Sequence, residues 1–532
     1  MTGIRKTLLA ATRFCFAAPI AAAAFAASSA GAQESPVVKI DSGAVGGVTQ
    51  NNIDEYLGIP YAAPPLGDLR WTPPQPAKPW TGTVAATKFG RTCAQNSDLG
   101  VFASPSADED CLYLNVYVSK GAESVDKRLP VLVWIHGGAL SVGAGSDHDG
   151  SQLAAKGSVV VTINYRLGIL GFLAHPKLDK EGHPFANYGL MDQQFALKWV
   201  KENIAAFGGD PENVTIFGES SGGTSVMSQI VSPGAAGLFQ HAISQSGSAV
   251  IIKHPNFGAP RPLDFGEDLG AKFAVAAGCA DQSVECLRKL PVAKILATQG
   301  PYQINQAFID GTVLPTTYAD AFKSGHFNHV TIVNGSNLDE WRWAVAFIEN
   351  GTGKALTADG YVAALKAYYG DALAPKVLEA YPLKDYLSPS LAYGAAVTDS
   401  LFACTGRKAN EWLAPQTPTY AYEFADQTAP SYLAPTTFDV GAGHTFELEY
   451  LFPLYHGGRG ISHQLNPLQQ HLADKMTEYW TSLGKAADGR LWTKYDPKSD
   501  NYMRLILPEP EMTSGIFGVE HKCAFWDQSG IY

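Results

Sequence analysis

The pentapeptide Gly218-Glu219-Ser220-Ser221-Gly222 could carry nucleophilic chemistry. An apolar run from Val214 to Phe217 precedes it, and Gly223-Thr224-Ser225-Val226-Met227, which can start a helix, follows. A serine at a sharp strand-to-helix turn projects its hydroxyl, the flanking glycines let backbones pack closely, and the helix N-terminus favours developing negative charge. A hydroxyl is a weak nucleophile at neutral pH, so Ser220 needs a general base. The tetrahedral oxyanion formed on an acyl carbon needs backbone donors. Trp134-Ile135-His136-Gly137-Gly138-Ala139 follows another apolar strand, and its glycine-rich loop can turn N–H groups towards the serine. The N–H of Ser221 is a second source.

These residues need elements to hold them. Leu129 to Ile135 and Val159 to Asn164 are β-branched-rich runs that end in glycine or polar turn residues. Between Asn187 and Phe207, Met191, Phe195 and Trp199 repeat at i+4, and Val200, Ile204 and Phe207 continue a helical face. Gly208-Gly209-Asp210-Pro211 ends that helix, and Val214 to Phe217 reads as a short strand. Strand, loop, helix, turn and strand in alternation predict an α/β fold with a large, mostly parallel sheet covered on both faces. Residues 60 to 80 hold seven prolines, too many for a helix or central strand, and read as an ordered surface meander anchored by Tyr61, Leu66, Leu69, Trp71 and Trp80. No repeat or tether interrupts the chain, so residues 33–532 read as a single domain.

The composition of the 532 residues, 46% hydrophobic and 17% charged, is that of a packed globular protein. The first 32 residues have a basic start at Arg5-Lys6, an apolar stretch from Leu8 to Phe25 and a small-residue end at Ala30-Gly31-Ala32. They read as a secretory signal peptide cleaved after Ala32. Its loss takes away three of the 39 basic residues, leaving 36 against 50 acidic and a charge of −14. Such a surface repels phosphate backbones, so nucleic acid is not an expected partner. No later segment is apolar for long enough to span a bilayer, and a secreted or periplasmic location is expected. Export places the six cysteines left after Cys15, namely Cys93, Cys111, Cys279, Cys286, Cys404 and Cys523, where disulfides persist. Fifteen connectivities are open to them, and none has zinc-ligand spacing, so no metal is expected.

The chain resembles the type-B carboxylesterases, the α/β-hydrolase family of carboxylesterases, cholinesterases and some lipases. Phe207-Gly208-Gly209, four residues, then Val214 to Gly222 is similar to that family's nucleophile pattern, and Glu109-Asp110-Cys111-Leu112-Tyr113-Leu114-Asn115-Val116 to its second. The resemblance runs from Gly58-Ile59-Pro60-Tyr61 to His521-Lys522-Cys523-Ala524-Phe525-Trp526-Asp527. It implies a Ser-Glu-His triad. The acid falls in Gly335-Ser336-Asn337-Leu338-Asp339-Glu340-Trp341, where Glu340 is the carried-over residue and Asp339 the rival carboxylate. The histidine falls in Gly441-Ala442-Gly443-His444-Thr445-Phe446-Glu447. Glu219 and Glu447 match carboxylates that support the triad in the family. The resemblance further implies the bridges Cys93–Cys111, Cys279–Cys286 and Cys404–Cys523.

Together these imply a serine carboxylesterase acting on a small-molecule ester through an acyl-enzyme, without cofactor. Ser220 is the nucleophile, His444 the base, Glu340 its orienting acid, and the Gly138, Ala139 and Ser221 N–H groups the oxyanion hole. The alternative is a non-catalytic, cholinesterase-like binding or adhesion protein. Members of that kind lack a triad residue, whereas all three positions are filled here. Trp341 stands where the family usually has glycine, so Trp341, Arg342 and Trp343 are expected in the substrate pocket; Arg342 can pair with an anionic substrate if it points inwards, the alternative being that it faces solvent in a surface salt bridge. The Cys93 to Cys111 loop has no tryptophan, the residue with which the family's choline binders hold quaternary ammonium, so a choline ester is not expected.

Overall fold

Alternate residues of the apolar strands face two different cores. Val131, Val133, Ile135, Val161, Ile163, Val214, Ile216, Ala242 and Ile332 enter one. Their neighbours Leu132, Trp134, Val160, Phe217, Ile243 and Val333 enter the other. Period-two side chains that are apolar on both sides require a sheet covered on both faces. The computed structural model describes residues 36–96, 104–122, 127–247, 252, 258–453, 464–484 and 492–532. The expected leader, with its cleavage point and Cys15, and part of the Cys93 to Cys111 loop lie outside these residues.

The sheet has eleven strands: β1 (Val48–Gln50), β2 (Ile53–Pro60), β3 (Tyr113–Ser119), β4 (Leu129–Ile135), β5 (Val159–Ile163), β6 (Gly209–Glu219), β7 (His241–Gln245), β8 (Thr331–Asn337), β9 (Thr419–Phe424), β10 (Asn501–Leu505) and β11 (Glu511–Ser514). Their spatial order is β1-β2-β3-β5-β4-β6-β7-β8-β9-β10-β11. The strands from β5 to β10 in that order are mutually parallel. Antiparallel pairs close both ends. Six helices matter for the site: α1 (Tyr188–Asn203), α2 (Ser221–Val231), α3 (Arg342–Thr352), α4 (Pro389–Thr398), α5 (Cys404–Leu413) and α6 (Pro467–Ser482). Leu190, Leu197 and Val200 of α1 and Val226 and Ile230 of α2 join the first core. Leu472, Met476 and Trp480 of α6 join the second. This is the α/β-hydrolase arrangement, and residues Ser35–Tyr532 make one compact unit.

Two expectations change in detail. Strand β6 begins at Gly209, not Val214, because Leu129 pairs with Gly209 across a register shift before Val131 meets Val214. Gly208, at φ 82°, caps the preceding turn in the left-handed conformation that glycine tolerates. The proline-rich stretch contains only the short turn Gly67–Leu69 beyond Pro60. Of its expected anchors, Tyr61 and Trp71 are buried, the Trp71 indole N–H donating to Ile169 O at 2.9 Å, whereas Leu66 is exposed. Disulfides join Cys93 to Cys111, Cys279 to Cys286 and Cys404 to Cys523.

Candidate active site

Ser220 sits where β6 ends and α2 begins, at φ 56° and ψ −123°, a conformation that a non-glycine residue holds only when its surroundings enforce it. Its N–H donates to Gln245 O at the end of β7, 2.9 Å away, and its carbonyl accepts from Thr224 N–H at 2.9 Å. The flanking glycines follow from close approach. A Cβ on Gly218 would stand 2.5 Å from Ile135 O, and one on Gly222 would stand 2.1 Å from the same oxygen. Only hydrogen fits at either position while β4 lies this near the turn.

Beyond β8, Asn337 leads into a turn that carries Glu340, which is fully buried. Glu340 accepts from Asn337 N–H at 2.8 Å and from His444 Nδ1–H at 2.6 Å. With the proton held on Nδ1, His444 Nε2 accepts from the Ser220 hydroxyl at 2.9 Å. The three residues, from three distant parts of the chain, therefore form one hydrogen-bonded line. Burial works against an imidazolium here, but Glu219 and Glu340 oppose it and raise His444, which favours the charge it gains on taking the serine proton. Such a line can take a proton from a hydroxyl and return it to a leaving group.

Asp339, the rival acid, turns the other way. It accepts from Ala442 N–H at 3.0 Å and from Gln427 at 2.9 Å, and it pairs with Arg342 at 2.7 Å. Arg342 is thereby corrected as a pocket residue: one guanidinium nitrogen is held by Asp339, another donates to Asp439 O at 3.3 Å, and the side chain packs over Gly394 of α4. The favourable ion pair with its neighbour three residues back fixes it outside the cavity. Trp341 and Trp343 do line the cavity, as expected. Trp343 donates its indole N–H to Tyr432 at 2.6 Å and sets its ring edge-on to His444, with centroids 5.8 Å apart.

Glu219 and Glu447 are buried behind the line. Glu219 Oε1 is 3.2 Å from His444 Nε2, and Glu447 accepts from Asn337 at 2.6 Å and from Gln245 at 3.2 Å. Burial pushes Glu219 well above the usual carboxylate range, against the pull of His444, while Glu447 and Glu340 add repulsion. Burial and Glu340 likewise push Glu447 up to about 7.

The Gly137 to Ala139 loop borders the same cavity as Ser220. Its backbone is unusual, with Gly138 at φ 98° and Ala139 and Leu140 both at φ 56°. The Ser221 hydroxyl accepts from Leu140 N–H at 3.1 Å, so the residue after Ser220 also ties this loop to the elbow. A Cβ on Gly138 would meet Val142 O at 2.2 Å, and Tyr165 donates to His136 O at 2.8 Å. His136, buried against the Tyr165 ring, is lowered by burial to about 4 and stays neutral while its Nδ1–H donates to Gly137 O at 2.8 Å.

The cavity, of about 260 Å³, also receives residues that no motif announced: Asp147, His148, Asn305, Leu401 and Phe402. Leu401 and Phe402 come from a π-helical stretch, Asp399–Ala403, between α4 and α5. The Phe402 ring lies 5.2 Å from that of His444. A π-bulge re-aims side chains by inserting a residue, an effect that leaves no periodic trace in the sequence. Among the described residues, no group of three or more His, Cys, Asp or Glu is disposed to hold a metal ion.

Comparison with known proteins gives the chain's family. Residues 34–526 match the model of the carboxylesterase family. Over 508 residues the chain is 32% identical to a cocaine esterase of Homo sapiens, a match covering 90% of this chain and 87% of the relative. It is 38% identical over 379 residues to a para-nitrobenzyl esterase of Bacillus subtilis (strain 168), covering 68% and 76% of the two chains. It is 42% identical over 311 residues to a fumonisin B1 esterase of Sphingopyxis macrogoltabida, covering 57% and 55%.

Proposed function

Because the chain belongs to the carboxylesterase family and is a carboxylic ester hydrolase, we propose that it is an exported serine esterase working through Ser220, His444 and Glu340. The Ser220 oxygen attacks the ester carbonyl carbon while His444 Nε2 takes its proton. The oxyanion is held by the N–H groups of Gly138, Ala139 and Ser221, which need no reorganisation as charge develops. The imidazolium, oriented and stabilised by Glu340, then gives its proton to the alcohol oxygen, and the carbon–oxygen bond breaks. Water attacks the acyl-serine with His444 again as base, freeing the acid and Ser220. The observation that carries this reading is the unbroken line from Ser220 to His444 at 2.9 Å and from His444 to Glu340 at 2.6 Å, opening on a cavity walled by Trp341, Trp343, Leu401 and Phe402.

Export is supported by the leader-like first 32 residues and by three disulfides, which persist in oxidising compartments. Among the described residues no helix is long and apolar enough to cross a membrane. The absence of tryptophan between Cys93 and Cys111 argues against choline esters, and the outward pairing of Arg342 removes the reason to expect an anionic substrate. The test is covalent labelling. An organophosphate should modify Ser220 alone, and Ser220→Ala and His444→Ala should fold normally yet lose several orders of magnitude in kcat. Labelling at another residue, or near-normal turnover without Ser220, refutes the assignment.

A further inference from the structure

Histidines are the only basic side chains of the cavity wall among the described residues. The wall includes Asp147 and Glu219 but, among the described residues, no lysine or arginine. Glu219 belongs to the buried carboxylates behind His444. Asp147 does not. It ends the short turn Gly145–Asp147, anchored where Gly145 N–H donates to Asn164 at 2.8 Å. One carboxylate oxygen, Oδ2, accepts from Ala144 N–H at 3.1 Å. Among the described residues no cation pairs with Asp147, and none donates a hydrogen bond to its other oxygen. Burial alone pushes its carboxyl up to about 7, with the Ala144 N–H pulling the other way. Asp147 is partly buried, and a carboxylate set beside an apolar wall without a counter-charge is a ready acceptor for a donor that a ligand brings. The rest of the wall offers mainly apolar surface from Trp341, Trp343, Leu401, Phe402 and Leu448.

We propose that Asp147 is a specificity-determining residue, selecting esters that carry a protonated amine able to donate an N–H to its carboxylate, and disfavouring esters that carry a carboxylate. The apolar wall holds the substrate's carbon skeleton, while the ammonium ends at Asp147 and forms a charge-assisted hydrogen bond there. The inference rests on the reading of Ser220 as the nucleophile of this same cavity.

The test uses three matched aliphatic esters ending in a methyl, a primary ammonium or a carboxylate, with the charged end on the alcohol in one series and on the acyl chain in another. Assays in about 0.5 M salt screen the overall negative charge of the protein. Wild-type kcat/KM in at least one series should favour the ammonium ester over the carboxylate ester by about tenfold or more, the scale of one charge-assisted hydrogen bond. Asp147→Asn keeps an acceptor for Ala144 N–H. It should abolish that preference while changing the methyl ester by less than about threefold, whereas a merely structural role would lower all three together. Equal loss on all three esters, or no charge preference in the wild type, overturns the inference while leaving Ser220 chemistry intact. If no ester is cleaved, the catalytic reading has failed by itself. Calorimetric binding of hexylammonium against hexanoate to the wild type then decides the role of Asp147: tighter hexylammonium supports it, and equal binding refutes it.

Discussion

The Arg342 guanidinium closes on Asp339 at 2.7 Å while the next residue, Glu340, holds His444 at 2.6 Å. Two adjacent carboxylates thus serve opposite sides of one turn. Asp339 also accepts from Ala442 N–H, two residues before His444, so it steadies the histidine loop without touching the ring. Glu340→Gln should lower kcat by roughly four orders of magnitude, as removal of a triad acid does. Asp339→Asn should keep most activity and instead cost about 1–3 kcal/mol of stability through the weakened ion pair and loop contacts. Kinetics and denaturant melts on both variants separate the two effects, and the reverse ranking in kcat would make Asp339 the acid.

Gly222 and Gly351 should respond oppositely to the same change. A Cβ at Gly222 meets Ile135 O at 2.1 Å and the His136 carbonyl carbon at 2.9 Å, whereas one at Gly351, in α3, meets nothing within 4 Å. Gly222→Ala should therefore cost about 1–3 kcal/mol and shift the elbow enough to reduce activity sharply. Gly351→Ala should be neutral or stabilising by up to about 1 kcal/mol. Equal melting temperatures for the two would contradict the packing argument.

His521 is buried between Asp399 at 2.6 Å and Glu423 at 2.7 Å, with Tyr381 donating to Asp399 at 2.7 Å and Arg504 beside Glu423 at 3.4 Å. Burial opposes its charge, but the two carboxylates push it up to about 10. A group raised on folding contributes its stability fully below the unfolded value of about 6.5 and loses it as pH rises through the folded value. Unfolding free energy should accordingly fall between pH 7 and 10, and His521→Gln should flatten that fall. The same variant leaves two buried carboxylates short of a cation, a loss of about 3–5 kcal/mol near neutral pH. A pH profile identical to that of the wild type would remove His521 from this role.

The three bridges enclose spans of 7, 18 and 119 residues. Loop closure ranks their contributions at about 2, 3 and 5 kcal/mol. Paired serine substitutions should reproduce that order, Cys404/Cys523 being the most damaging because it also anchors α5 to the C-terminal segment. Mature protein beginning at Gln33 should show no titratable thiol when denatured, and two or more thiols would refute the full pairing.

Much of the fold was legible because its signals are local. The apolar run Leu129 to Ile135 marks a strand, and Gly218-Glu219-Ser220-Ser221-Gly222 after another apolar run marks an elbow, each read from a short stretch, although the close approach that demands the two glycines comes from Ile135 O of β4. Resemblance carried Glu340 and His444, which no spacing could link to Ser220 across more than 100 residues. Only the tertiary structure set Glu340 against His444 and Asp339 against Arg342, turned Arg342 away from the cavity, and brought Asp147, Leu401 and Phe402 to its wall. The reason is physical. Sequence determines which backbone conformations and faces are favourable over short stretches. Which carboxylate meets a histidine, or which side chain looks into a cavity, depends on contacts between segments that only the assembled sheet sets side by side.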